Sequence, residues 1–167
     1  MLTNDSQKQS ANVSERYETV IGLEVHCQLL TGSKIFASDY NLFGSEPNTN
    51  IGRLTLALPG TLPKLNRKAI ELGIRFGLAC GSDISRKTVF DRKNYFYPDL
   101  PKGYQITQDK APVCVGGVVR IIPRGGEEKV IRLHHAHLEE DAGKSVHDGS
   151  HTDTLLDYNR AGTPLIE

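Results

Sequence analysis

Apolar positions along this chain switch period several times, and each switch marks an element. From Val20 to Leu29 the apolar residues fall at Ile21, Leu23, Val25, Cys27 and Leu29, with Glu24, His26 and Gln28 between them. That alternation predicts a half-buried strand with Glu24 and His26 on one face. A short Lys34-Ile35-Phe36 piece follows the turn at Thr31–Ser33, and Leu54–Leu58 reads as a short buried strand ending at Pro59-Gly60. Asn66 is a good N-cap, and Ile70, Ile74, Phe76, Gly77 and Leu78 then recur at helical spacing to about Cys80, with Gly81 placed to close the helix. Val113–Ile122 and Lys129–Leu138 read as two strands joined by the Pro123–Gly126 turn, and Thr154–Tyr158 as one more. Strands outnumber helices without a βαβ rhythm. The expected class is α+β with a mostly antiparallel sheet and a helix on one face.

Composition narrows this little but excludes much. A chain of 167 residues with 38% hydrophobic and 24% charged residues fits one soluble domain, or the front part of a larger one. Lys+Arg and Asp+Glu stand at 20 each, which argues against this segment alone holding nucleic acid by a broad basic footprint, although a local basic loop remains open. Cys27, Cys80 and Cys114 are odd in number and widely spaced, which argues against a disulfide framework and for a reducing, cytoplasmic setting. No apolar run reaches the ~18 residues of a membrane span. Residues 1–16 are polar and lack a signal sequence, so they read as a flexible extension ahead of a domain over 17–167. The apolar run has barely begun at Leu165-Ile166-Glu167, which reads as a truncation inside a domain.

Two segments carry candidate chemistry. Asp91–Ile106 (DRKNYFYPDLPKGYQI) packs three cations, four aromatics, two aspartates, two prolines and a glycine into sixteen residues, and reads as a functional loop. Arg92, Lys93 and Lys102 could hold phosphate oxygens, while Tyr95, Phe96, Tyr97 and Tyr104 could stack on a base or exclude water. The same stretch would otherwise be a Pro-anchored loop covering a sheet edge. In Ile131–Lys144 (IRLHHAHLEEDAGK) three of the six histidines sit beside three consecutive acids. If Ile131 and Leu133 face the core, Arg132, His134 and Glu140 share the other face, with His135, His137 and Glu139 alternating unless a bulge resets the register. Adjacent acids repel unless a cation lies among them. A solvated turn is the plain alternative, as a solvent face is for Glu24 and His26. Dense carboxylate oxygens suit Mg²⁺ better than zinc, while the histidines leave zinc hydrolysis open as a rival. Walker A, GxGxxG and HExxH motifs are all absent.

The phrases VIGLEVHCQL, SKIF, FGSEPNTN, LPGTLPKLN, FDRKNYFYPDLPKGYQI, HLEEDAGK and LLDYNRAGTPLIE occur in this order between Tyr17 and Glu167. Together they resemble the start of the catalytic domain of the B subunits of aspartyl/glutamyl-tRNA amidotransferases and their archaeal E-type relatives. The resemblance implies a glutamine-synthetase-like cradle. It also implies ATP-dependent amidation of misacylated Glu-tRNA(Gln) and Asp-tRNA(Asn). Ammonia would come from a glutaminase (amidase) partner, the A subunit, and a small C subunit would complete the heterotrimer. A carboxylate does not accept ammonia because oxide leaves poorly; a phosphorylated carboxylate does, since phosphate leaves. Making it brings anions together, so positive charge must be fixed in place.

Under this resemblance Mg²⁺ is held by Glu24, His26 and Glu140, with Glu139 and Asp141 orienting those ligands or binding a further ion. Arg92, Lys93 and Lys102 would meet phosphate, and Tyr95, Tyr97 and Tyr104 would shape the pocket. The central expectation is that Glu24 and Glu140 meet at one magnesium. Relatives often carry a zinc-type cysteine pattern where this chain has Phe36–Asp39 and Ile51–Leu54, so no zinc is expected, and His135 stands where relatives usually have Arg. Family members continue past Glu167, so the chain by itself is expected not to amidate tRNA. A non-catalytic fragment that only binds the amidase partner is the alternative.

Overall fold

The computed structural model describes residues 17–147 and 153–167; the expected 1–16 extension lies outside them. One helix, α1 (Arg67–Cys80), and twelve short strands make up the described elements, and every strand pairing is antiparallel. The α+β expectation stands at that level.

The helix forms where its capping residues predict. The Asn66 side chain accepts the Lys68 N–H at 2.9 Å, and Gly81 ends the helix at φ 67°, a left-handed conformation that glycine adopts without penalty. The buried face carries Ala69, Gly73 and Gly77. A Cβ at Gly77 would collide with Cys114 Sγ, and one at Gly73 would lie 3.3 Å from Leu138. The two glycines, one turn apart, therefore let α1 press directly onto the strands that carry Cys114 and Leu138. Ile35, Ala69, Cys114 and Leu138, each fully buried, form the centre of that core.

Three segments distant in sequence meet in the sheet that matters most. β12 (Pro164–Ile166) runs between β1 (Cys27–Gln28) and β9 (Leu138–Glu140). Its register sets Cys27 opposite Ile166 and Leu165 opposite Glu139. The ladder runs on to Glu167 and His137, which exchange both backbone hydrogen bonds at 3.0 Å. Beside it, β3 (Asp91–Asn94) pairs with β4 (Tyr104–Thr107), setting Lys93 opposite Gln105. The stretch expected as a loop is thus a hairpin whose ends are strands, its tip closed by Tyr95 N–H to Gly103 O at 3.1 Å and by Gly103 at φ 71°. Polar residues on both faces of β3 hid its period.

Other boundaries shift for identifiable reasons. Of the predicted Val20–Leu29 strand, Cys27–Gln28 is laddered and Leu29 adds its N–H to Pro164 O at 2.8 Å; among the described residues no strand bonds to 20–26, and Ile21, Leu23 and Val25 stand exposed. Leu54–Leu58 is a run of turns rather than a strand, with Leu56 N–H bonding Gly52 O and Leu58 N–H bonding Arg53 O. The predicted hairpin shortens to β6 (Val118–Ile121) and β7 (Lys129–Arg132). Gly116 and Gly117, at φ 65° and 108°, turn the chain so that β5 (Cys114–Val115) leaves it. β5 instead lies between β2 (Asp83–Ile84) and β8 (His135–Ala136). β10 (Lys144–Val146) pairs with β11 (Leu155–Asp157), close to the last predicted strand.

Candidate functional site

Strand pleat decides which acids can work together. Leu138 packs into the core, and Glu140, two residues on, points to the same side; Glu139 points to the other. There Glu139 meets His26 from the strand edge and Glu167 from the end of β12. One ligand atom from each of these three lies within 4.8 Å of the other two. His26 Nε2 is 3.0 Å from Glu167 Oε2, and His137 Nε2 is 3.4 Å from the same oxygen. His137 has a buried Nδ1 with no hydrogen-bond partner, and burial pushes its imidazole below the ordinary value, favouring the neutral ring.

Glu139 and Glu167 of the cluster line a cleft of about 370 Å³, whose walls also include Glu24, Arg92, Lys93, His135 and Asp109. Glu139 is 1% exposed, yet its nearest cation, Lys93 Nζ, is 3.9 Å away and more than half exposed. Two carboxylates thus stand side by side at a cleft floor, where among the described residues the solvent-exposed Lys93, 3.9 Å from Glu139, is the one lysine or arginine paired with either. Such a pair is costly unless a cation joins it.

The other face of β9 is closed. Both oxygens of Glu140 accept from Lys102 Nζ at 2.5 Å, and Oε1 also accepts the Ile106 N–H at 2.8 Å. Burial raises the Glu140 carboxyl and the ammonium opposes that rise. Lys34, fully buried nearby, donates to Thr55 Oγ1 at 3.3 Å and Tyr158 O at 3.4 Å, and burial lowers it to about 8. Asp141 is held by Gln28 at 3.4 Å and Arg160 at 3.5 Å, its carboxyl raised chiefly by burial.

The expected magnesium set is therefore divided. His26 and Glu139 come together and Glu24 lines the same cleft, whereas Glu140 faces away and is occupied by Lys102. Glu24 and Glu140 do not share a site, because the Leu138 anchor sets the register one residue from the expected one. Of the loop residues, Arg92 and Lys93 wall the cleft, with the Arg92 guanidinium also 4.9 Å above the Tyr104 ring. Lys102 is committed to Glu140. Tyr95 hydrogen-bonds Gln105, and Tyr97 is 60% exposed.

This geometry lies within a stretch with many relatives. The family model described as the GatB/GatE catalytic domain matches residues 19–167. The chain belongs to that family. It is 57% identical over 155 residues to the B subunit of the aspartyl/glutamyl-tRNA(Asn/Gln) amidotransferase of Dechloromonas aromatica, covering 91% of this chain and 32% of the relative. It is 58% identical over 151 residues to the corresponding B subunit of Saccharophagus degradans, covering 90% and 32%. The chain spans about a third of the length of these curated relatives. Among the described residues no helix of this GatB/GatE-family chain is long and apolar enough to cross a membrane.

Two residues at the site escaped the reading of the sequence. Glu167 follows two buried apolar residues, and only the backbone pairing of β12 with His137 shows that it enters the cleft. Gln105 is 6% exposed and touches Glu139, but it reads in sequence as one more polar residue of a polar stretch.

Proposed function

We propose that this chain forms the phosphorylating part of a tRNA-dependent amidotransferase B subunit, in a cradle of glutamine-synthetase type. It would activate the side-chain carboxylate of glutamate on tRNA(Gln), or aspartate on tRNA(Asn), with ATP. The observation that carries this reading is the His26–Glu139–Glu167 cluster, whose two carboxylates line a cleft walled by Arg92 and Lys93. Family membership and the printed names of the relatives supply the substrate class.

The donor set suits a hard divalent cation. Two carboxylates and one imidazole fit Mg²⁺, which takes one or two protein carboxylates together with phosphate oxygens and water. His26, Glu139 and Glu167 would hold it, with Glu24 at the cleft wall. When bound, the cation supplies fixed positive charge against the anions that phosphoryl transfer brings together. Arg92 and Lys93 extend that charge along the wall and bind phosphate oxygens. The carboxylate oxygen takes the terminal phosphoryl group and ADP leaves; ammonia then attacks the acyl carbon and phosphate departs, leaving the amide. Ammonia comes from the glutaminase partner (the A subunit), with the small C subunit in the same assembly, in the cytoplasm.

Calorimetry tests this reading. The 167-residue chain is expected to bind ATP in the presence of Mg²⁺, with Glu139→Gln and Glu167→Gln each lowering the affinity by at least tenfold. Equal heats for all three proteins would contradict it and favour a fragment that only binds its amidase partner.

A further inference from the structure

Glu139 is fixed from behind by a hydrogen-bond chain. Gln105 Nε2 donates to Glu139 Oε1 at 3.2 Å and to the Glu140 backbone oxygen at 2.8 Å. The Tyr95 hydroxyl donates to Gln105 Oε1 at 2.7 Å. An amide has one acceptor end and one donor end. Occupying the acceptor with a phenol O–H therefore sets the NH₂ toward the carboxylate and toward the backbone of β9 at once. Register enforces the same direction: Gln105 lies opposite Lys93, and both reach Glu139 from the β3–β4 hairpin. Tyr95 is a dependable donor, because burial and the nearby Asp99 and Glu139 carboxylates push its phenol up to about 12.

We propose that Gln105 is a positioning residue that aims one Glu139 oxygen into the cleft by holding the other, and that Tyr95 fixes the amide in the orientation this requires. The role rests on the metal reading given above. Without the Gln105 donor, the Glu139 carboxylate keeps the solvent-exposed Lys93 ammonium at 3.9 Å, a contact that does not fix its terminal torsion, so its oxygen no longer waits beside Glu167. The hydrogen bond of Tyr95 goes to Gln105, so its effect on the orientation of Glu139 passes through that amide. The aromatic-rich hairpin thereby acquires a task distinct from stacking on a base.

Titration of the 167-residue chain with Mn²⁺, followed by electron paramagnetic resonance, tests this, with circular dichroism confirming that each variant is folded. Gln105→Met, which keeps the volume and removes the donor, is expected to weaken Mn²⁺ binding by about 10–100-fold, the usual cost of losing a partner that orients a ligand. Tyr95→Phe is expected to weaken it by about threefold to tenfold through the same contact, and adding Tyr95→Phe to Gln105→Met is expected to cost nothing more. A purely structural role would lower the unfolding midpoint of metal-free protein while leaving the affinity of the folded fraction unchanged. Should Gln105→Met fail to fold, Tyr95→Phe decides alone. An affinity within twofold of the parent overturns the proposal. Parent binding that Glu139→Gln removes, with Gln105→Met and Tyr95→Phe both at parent affinity, overturns the positioning role only. No Mn²⁺ binding by the parent overturns the metal reading and this inference with it.

Discussion

Glu139 and Glu140 are chain neighbours, each 1% exposed, and they live in opposite circumstances. One faces a cleft beside a second carboxylate, with its nearest ammonium 3.9 Å off; the other is closed by Lys102 at 2.5 Å on both oxygens and by a backbone N–H. Burial alone therefore does not mark a functional acid. What distinguishes the two is whether the fold has already supplied the counter-charge. Glu140 belongs to the structure that holds β4 against β9, while Glu139 has only the exposed Lys93 ammonium at 3.9 Å and shares its cleft with a second carboxylate.

The comparison breaks first at the closed face. Glu140→Gln leaves the Lys102 ammonium, 11% exposed, without its partner, so unfolding by urea is expected to show a loss of about 3–5 kcal/mol. Adding Lys102→Met should restore most of it, since the glutamine still accepts the Ile106 N–H and no charge is stranded. A double variant as unstable as the single one would show that the ion pair is not what Glu140 contributes.

Lys34 sharpens the same contrast through pH. Its folded value of about 8 lies below the unfolded 10.5, so the unfolded chain binds more protons between these limits. Stability is then expected to rise with pH across that window by about 1.4 kcal/mol per unit, relative to Lys34→Met. A flat difference between the two proteins from pH 8 to 10.5 would mean that the ammonium is not buried as described.

Asn66→Ala gives a smaller effect. It removes the α1 cap together with the bonds from the Asn66 amide to Ser33 O and Lys34 O at 3.2 and 3.3 Å. A cost of about 1–2 kcal/mol is expected by denaturation, with Mn²⁺ affinity unchanged because the open face does not depend on that tie.

Much of this was legible in the sequence where local chemistry decides the outcome. Asn66 and Gly81 mark the helix ends because capping is a property of a few adjacent residues. His26 and Glu139 entered as candidates through the family resemblance, since the residues alone left a solvent face open for His26 and a solvated turn open for Glu139. The choice between Glu139 and Glu140 could not be read, since a one-residue change of register exchanges the faces and the register depends on Leu138 meeting α1. The role of Glu167 is non-local in the same way, resting on a pairing with His137 thirty residues earlier. The glutamine-synthetase-like cradle and the partner proteins rest on kinship, and nothing in the periodicity of the chain speaks to them.

The most direct test of the account is a Mn²⁺ titration of three folded proteins: the parent chain, Glu139→Gln and Glu140→Gln. The account predicts at least a hundredfold loss of affinity for the first variant and less than about threefold for the second, since only one of the two acids faces the cleft. Equal losses, or a larger loss from Glu140→Gln, would contradict it.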